Sequence, residues 1–143
     1  MRRTALSLAA FLYFGLLAAA LAAPQAQEPP WQDLKSAGAK NWIGDAVYFI
    51  YRPNEQPKMG TIILKVQVFT KSGEKDRSFV VKGQLDMPSM AGAHDSGLQA
   101  FALNKAGNYL LPVNIVMPGE WELRLTFIKG DKTVFRGRTK FNV

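Results

Sequence analysis

Residues 121–127, WELRLTF, alternate apolar and polar side chains and decide the fold class. Side chains of a β-strand point alternately to its two faces, so this order places four large apolar residues on one face. Those residues are Trp121, Leu123, Leu125 and Phe127. The stretch is therefore predicted to be a strand with one face in a core and the other in solvent.

Six further runs repeat the period of two. They span residues 47–51, 63–69, 78–85, 98–103, 109–116 and 134–143, and turns such as KSGEKD and NKAG separate them. Seven short strands at this spacing predict an all-β fold, a seven-stranded antiparallel sandwich of immunoglobulin type. The chain contains no cysteine, so we expect aromatic side chains to fill the space between the sheets in place of a disulfide.

The alternation also predicts which side chains point into the core. In the other runs these are Leu64, Val66, Val68, Phe79, Val81, Leu85, Tyr109, Leu111, Val113, Ile115, Phe135, Phe141 and Val143. Pro112 falls on the opposite face of its run. Because proline cannot donate to a strand ladder, the run at residues 109–116 is predicted to lie at a sheet edge.

Residues 1–22 are predicted to be a signal peptide. Arg2 and Arg3 precede an uncharged apolar run at residues 6–21, and Ala20 and Ala22 are small residues of the kind a signal peptidase reads. The protein is therefore expected to be periplasmic or secreted. An anchor formed by an uncleaved N-terminal helix is the alternative, because the apolar run approaches the length of a membrane span.

The rest of the chain is predicted to be one domain. Residues 23–40 are rich in Ala, Pro and Gln and show no periodicity, which indicates a flexible lead. Residues 41–143 then form the sandwich, with the fold beginning near Trp42. This length is typical of a single domain.

Charge and residue chemistry exclude several functions. The formal charge is +7, but lysines and arginines are scattered singly, so we expect no nucleic-acid binding. His94 is the only candidate base, and neither Ser89 nor Ser96 lies in a nucleophile elbow. We therefore expect neither an enzyme nor a small-molecule substrate.

The last run carries a basic stripe, because every second residue from Arg136 is basic and the three side chains share one face: Arg136, Arg138 and Lys140. They could contact an acidic partner. We favour a solvated face, with Glu122 and Arg124 available as cross-strand partners.

Methionine and histidine are concentrated in three of the loops. Met59 ends the first connection, Met87, Met90 and His94 lie in the third, and Met117 opens the fifth. In a sandwich of this type successive connections alternate between the two ends. These five residues are therefore predicted to gather at one end.

Two interpretations of this gathering remain open. The first is a copper site, because thioether sulfur and imidazole suit Cu(I). Its ligands would be Met87, Met90, His94 and Met117, with Met59 as a possible additional ligand. If Cu(II) is bound instead, Asp86 and Asp95 add oxygen donors. Alternatively, flexible methionines fill the irregular end of a core and no metal binds.

Three short motifs carry a family resemblance. They are MPSM at residues 87–90, GNY at 107–109 and MPGEW at 117–121. With the strands around them, from about Met59 to Val143, they resemble the YtkA-like domain family, which is often grouped with FixH-like proteins. The resemblance implies a small exported or membrane-anchored β-sandwich that serves as an accessory domain and is suspected of handling copper or another heavy metal.

Two function classes follow from the sequence. One is an exported copper-binding or copper-trafficking domain, with copper as the only cofactor. The other is a metal-free module that docks onto a periplasmic or membrane protein complex.

Export is testable on the protein in its native compartment. Intact-mass spectrometry should find an N-terminus near Ala23, because the small-residue site precedes it. Full-length chain recovered from membranes would instead favour the anchored alternative.

Overall fold

The computed structural model describes residues 27–143, so the predicted signal peptide lies outside the described residues. Within these residues, ten strands form two packed sheets, and there is one 3₁₀ turn. In chain order the strands are β1 (Trp31–Asp33), β2 (Asn41–Ile43), β3 (Val47–Pro53), β4 (Gly60–Thr70), β5 (Phe79–Asp86), β6 (Gln99–Ala100), β7 (Ala102–Leu103), β8 (Tyr109–Ile115), β9 (Glu120–Lys129) and β10 (Lys132–Asn142). The 3₁₀ turn, Pro88–Met90, follows β5.

Each sheet contains five strands. Sheet 1 has the order β1-β10-β9-β5-β6, and sheet 2 has the order β2-β3-β4-β8-β7. The run predicted to be an edge strand, β8, therefore lies between β4 and β7. Because β7 pairs only with Tyr109 and Leu110, Pro112 still lies on a length of β8 that β7 does not reach. All pairings are antiparallel except that of β1 with β10, which is parallel. The predicted all-β sandwich is confirmed, with ten strands in place of seven.

The core lies between the sheets and contains the side chains that the alternation selected. Of the predicted inward residues, all but Phe141 and Val143 are buried. Those two are partly buried against the core. Phe141 lies near the end of β10, and Val143 follows the strand.

Residues 31–34 are part of the fold, which corrects the prediction that residues 23–40 are a flexible N-terminal segment. Trp31–Asp33 forms β1, and Leu34 enters the core. The Trp31 ring lies 4.8 Å from the Arg136 guanidinium, and the Leu34 N–H donates to the Arg138 carbonyl at 2.8 Å. Three residues are too few to show a period of two, so the sequence pattern did not reveal this strand.

Residues 34–40 then cross from sheet 1 to sheet 2 over the open side of the sandwich. The Gly38 N–H donates to the Tyr51 carbonyl at 2.9 Å, and the Tyr51 hydroxyl donates to the Lys35 carbonyl at 2.8 Å. Burial raises the pKa of the Tyr51 phenol, which keeps that donor protonated. The crossing is thus fixed by hydrogen bonds at both of its ends.

Residues 98–103, which were predicted to form one strand, are divided between the two sheets. They form two short strands, β6 in sheet 1 and β7 in sheet 2. Phe101 lies between them, is buried, and donates its N–H to the Val81 carbonyl at 2.9 Å. The chain changes sheets at this residue, as strands at sandwich corners do.

Two glycines of sheet 1 make room for the side chains that close the sandwich. A Cβ on Gly137 would lie 2.2 Å from Leu34 Cδ2, and one on Gly83 would lie 2.7 Å from Phe101 Cε2. Both glycines are paired with Leu125 of β9, one on either side. Leu34 and Phe101 therefore pack directly onto sheet backbone, where a larger residue would displace them.

Trp121 and Trp42 provide a matched pair for testing the core. Trp121 is 1% exposed and Trp42 is 40% exposed. Trp121→Ala should lower the free energy of unfolding by about 3–5 kcal/mol, as other large core truncations do. Trp42→Ala should cost less than about 1 kcal/mol. Urea denaturation of both variants measures this, and similar losses would contradict the assigned burial.

Candidate functional site

The strand register brings three loops to one end of the sandwich. Gly60 at the start of β4 pairs with Ile115 at the end of β8, and Asp86 at the end of β5 pairs with Glu122 near the start of β9. Three loops therefore leave the sheets at the same end of the sandwich, namely those at residues 54–59, 87–98 and 116–119. We call this the methionine end, after Met59, Met87, Met90 and Met117; it also carries His94.

The C-terminus also reaches this end. Gly119 and Val143 exchange two backbone hydrogen bonds, with N–O distances of 2.9 and 3.0 Å. The loop at residues 116–119 is thus held against the last strand.

Met87 lies inside the core. It is 3% exposed, and its Cε is 3.0 Å from the position that a Cβ on Gly119 would occupy. Its N–H donates to Asp86 Oδ1 at 2.8 Å, and its carbonyl accepts from the Met90 N–H at 2.9 Å. Pro88 follows at once and begins the 3₁₀ turn, which fixes the chain as it leaves β5.

Trp121 connects Met117 and His94. The indole Nε1 donates to the Met117 carbonyl at 3.0 Å, and the His94 ring centroid lies 6.4 Å from the indole centroid. Met117 is partly buried against the core, and His94 is also partly buried. Together with Met87, these residues form the inner layer of the methionine end.

The remaining two methionines belong to its surface. Met90 is 42% exposed and Met59 is 55% exposed. The predicted ligands therefore fall into two groups, with Met87, Met117 and His94 packed against the core and Met59 and Met90 reaching solvent. That they bind a metal stays a prediction.

His94 opens onto a cleft of about 370 Å³. Its wall is formed by His94, Asp95, Ser96, Gln99, Pro112, Val113, Asn114, Val116 and Trp121, and contains no methionine. The Ser96 Oγ accepts from the Leu85 N–H at 2.9 Å and contacts the Gly97 carbonyl at 3.0 Å. This hydroxyl thus holds the loop onto β5.

The two predicted oxygen donors also have structural partners. Asp95 accepts from Gln84 Nε2 at 2.7 and 2.8 Å and from the Gly97 N–H at 2.8 Å. These hydrogen bonds, chiefly the one from Gln84, lower the pKa of Asp95. Asp86 is buried and accepts from the Met87 N–H. Both carboxylates therefore help to shape the loop that carries Met87 and His94.

Imidazole, carboxylate and thiol groups do not form a metal-binding cluster in the described part of the chain. Within residues 27–143, no three imidazole, carboxylate or thiol side chains lie close enough together to hold a metal ion. The donors that the methionine end does offer are thioethers and one imidazole, which suit soft metal ions.

Acidic residues accompany the basic stripe on sheet 1. Arg136 pairs with Glu28, Arg138 with Asp33 at 3.7 Å, and Lys140 with Glu120 at 2.9 Å. Neighbouring Arg124 pairs with Glu122 at 2.6 Å. These ion pairs favour the interpretation of the stripe as a solvated face.

The role of Trp121 at the site was not predicted from the sequence, which placed it only in the core. The signal was present in MPGEW, because a four-residue spacing across a tight turn lets the indole N–H reach back to the Met117 carbonyl. Gly119, which lies against Met87, belongs to the same motif.

Comparisons with known proteins leave the family open. No family model and no curated protein matches the chain. The chain is similar to a solved structure of FetP from uropathogenic Escherichia coli strain F11, which was expressed in the periplasm of E. coli. The two structures superpose with a TM-score of 0.49 and share 10% sequence identity, over 75% of this chain and 93% of FetP. Likeness at this level assigns neither a family nor a function, so the YtkA-like resemblance stays a prediction. Among residues 27–143, no helix is long and apolar enough to cross a membrane.

The burial of Met87 gives a stability prediction that does not involve metal. Met87→Ala should lower the free energy of unfolding by about 2–5 kcal/mol because it leaves a cavity. Met87→Leu keeps the volume and should cost less than about 1.5 kcal/mol. Met59→Ala, at an exposed position, serves as the control and should stay within about 0.5 kcal/mol of the parent. Thermal and urea unfolding measure all three, and an equal effect at Met59 and Met87 would contradict the inner and outer grouping.

Proposed function

We propose that this protein is an exported accessory domain that binds Cu(I) at the methionine end. Met87, Met117 and His94 are the ligands. The observation that supports this choice is that all three residues are linked to one turn: the Met117 backbone carbonyl accepts from the Trp121 indole, the His94 ring centroid lies 6.4 Å from the indole centroid, and Met87 packs on Gly119. Three donors are within the number that Cu(I) accepts. The predicted signal peptide supports an exported, periplasmic location.

The chemistry of these donors fits a soft monovalent ion. Thioethers are neutral and polarizable and prefer Cu(I) to harder cations. Sulfur from Met87 and Met117 would bind on the apolar side, where water is excluded by the core. His94 would close the site from the solvent side, since its ring is only partly buried.

Met59 and Met90 suggest how the ion enters. Their side chains are exposed at the same end, so a copper ion can meet their sulfurs before the inner ones. Met90 is joined to Met87 through the 3₁₀ turn by the hydrogen bond from its N–H to the Met87 carbonyl. Exchange from outer to inner thioethers would pass the ion inward without a free intermediate.

A metal-free docking module is the second candidate. It is favoured by the exposed apolar side chains at this end, namely Met59, Met90, Leu98 and Val116, which are 42–55% exposed. In that case the partner is a protein of a periplasmic or membrane complex, and Met87 and Met117 serve only as packing.

Copper titration separates the two candidates. The protein without its predicted signal peptide, residues 23–143, should take up one equivalent of Cu(I) in competition with a chromogenic chelator. Met87→Leu and Met117→Leu should each weaken uptake at least tenfold while the fold is kept, because leucine removes the sulfur and preserves the volume. His94→Ala should weaken it less if the two thioethers hold the ion.

Met59→Leu is the matched control, because it removes a thioether at the same end but outside the inner layer. Its uptake should stay within about twofold of the parent. No retained copper in the parent, or equal losses in all the leucine variants, would reject the copper site and leave the docking module.

A further inference from the structure

The strands of the two sheets differ in their acidic residues. Sheet 1 strands contain Asp33, Asp86, Glu120 and Glu122, whereas the strands of sheet 2 contain neither aspartate nor glutamate. The acidic residues closest in sequence to the outer face of sheet 2 lie in turns, at Asp45 and Glu55, and Glu55 pairs with Lys58 at 2.6 Å. The outer face of sheet 2 thus has no carboxylate of its own.

The cations of this face are not paired with acidic side chains in the described part of the chain. Arg52 of β3 and Lys65 of β4 are directly opposite each other in the register, and neither is in an ion pair within residues 27–143. Like charges facing each other across a strand pair are destabilising. Lys40, just before β2, places its ammonium 4.5 Å from the Tyr48 ring centroid on the same face. An external anion would relieve the repulsion between the first two cations.

Exposed apolar side chains accompany these cations along the whole sheet. Trp42 is 40% exposed at one end, Ile63 is 39% exposed farther along β4, and Met59 and Val116 are exposed at the methionine end. Between them lies a shallow depression of about 490 Å³. It is lined by Arg52, Pro53, Asn54, Ile63, Lys65 and Leu110. Cations and apolar groups are therefore interleaved over a broad face.

We propose that the outer face of sheet 2 docks onto the surface of an anionic phospholipid membrane. Lipid phosphates would meet Arg52 and Lys65, while Ile63 and the Trp42 indole enter the interfacial region, where tryptophan is favoured. The contacts are spread along the sheet, whereas a protein partner is usually held by a few anchors clustered in well-packed pockets. Sheet 1, whose arginines are paired with acids, faces away from the membrane.

Vesicle binding tests this proposal. The protein without its predicted signal peptide, residues 23–143, should cosediment with vesicles of phosphatidylglycerol and phosphatidylcholine but not with vesicles of phosphatidylcholine alone. Binding should weaken at high salt because screening acts on exposed charges. With copper absent throughout, the result does not depend on the proposed metal site.

Charge variants on the two sheets provide the matched comparison. The pair Arg52→Gln and Lys65→Gln should weaken vesicle binding roughly thirty-fold, the loss expected for two cations near an anionic surface. The pair Lys82→Gln and Lys132→Gln removes the same charge from sheet 1, at lysines that are also outside the ion pairs of the described residues. That control should weaken binding less than about threefold. Circular dichroism verifies that both variants fold.

A fluorescence readout checks the orientation. The emission of Trp42, taken as the difference between the parent and Trp42→Phe, should shift to shorter wavelength with anionic vesicles. Equal losses in the two charge variants would show binding by net charge alone and overturn the proposal. Binding to soluble poly-glutamate without binding to vesicles would overturn it in favour of an acidic protein partner.

Discussion

The burial of the Trp121 indole is the constraint on which the methionine end depends. Its N–H must find an acceptor in an apolar surrounding, and the Met117 carbonyl supplies one at 3.0 Å. That bond fixes the turn before β9, and the same turn places Gly119 against Met87 and against the C-terminal Val143. The His94 ring centroid lies 6.4 Å from the indole centroid. One buried side chain therefore sets the positions of residues from two loops and the chain end.

Long strands could be predicted from the sequence because their period of two is sustained. β4, β8, β9 and β10 show it over seven residues or more, and the inward positions of β4, β8 and β9 are buried as predicted. β1 and β7 are too short to show a period, and they form because tertiary contacts select them. Leu34 fits only where Gly137 leaves space, and Phe101 only where Gly83 does. Such complementarity joins residues far apart in the chain, so no local pattern reveals it.

The location of the candidate site could be predicted from the sequence, but not which of its residues are buried and which are exposed. Alternation of loops between the two ends is a property of sandwich topology, and it brings all four methionines of the described residues to one end. Which of them are buried depends on packing. Met87 follows β5 directly and is buried like Val81 and Leu85, the alternate residues before it. Met90 lies three residues further on, at the end of the 3₁₀ turn, and reaches solvent. The methionine end therefore has exposed methionines at its surface and buried ones in its inner layer.

Methyl resonances of the four methionines offer the most direct measurement of the inner site. The protein without its predicted signal peptide, residues 23–143, would be labelled with ¹³C at the methionine methyl groups. The signals would be assigned by leucine substitution, and the protein would be titrated with Ag(I), a soft and diamagnetic substitute for Cu(I). We expect the Met87 and Met117 methyl signals to shift together and to saturate at one equivalent, with the His94 ring signals following and Met59 unchanged. Shifts confined to the exposed Met59 and Met90, or no saturable shift at all, would contradict a metal site beside Trp121.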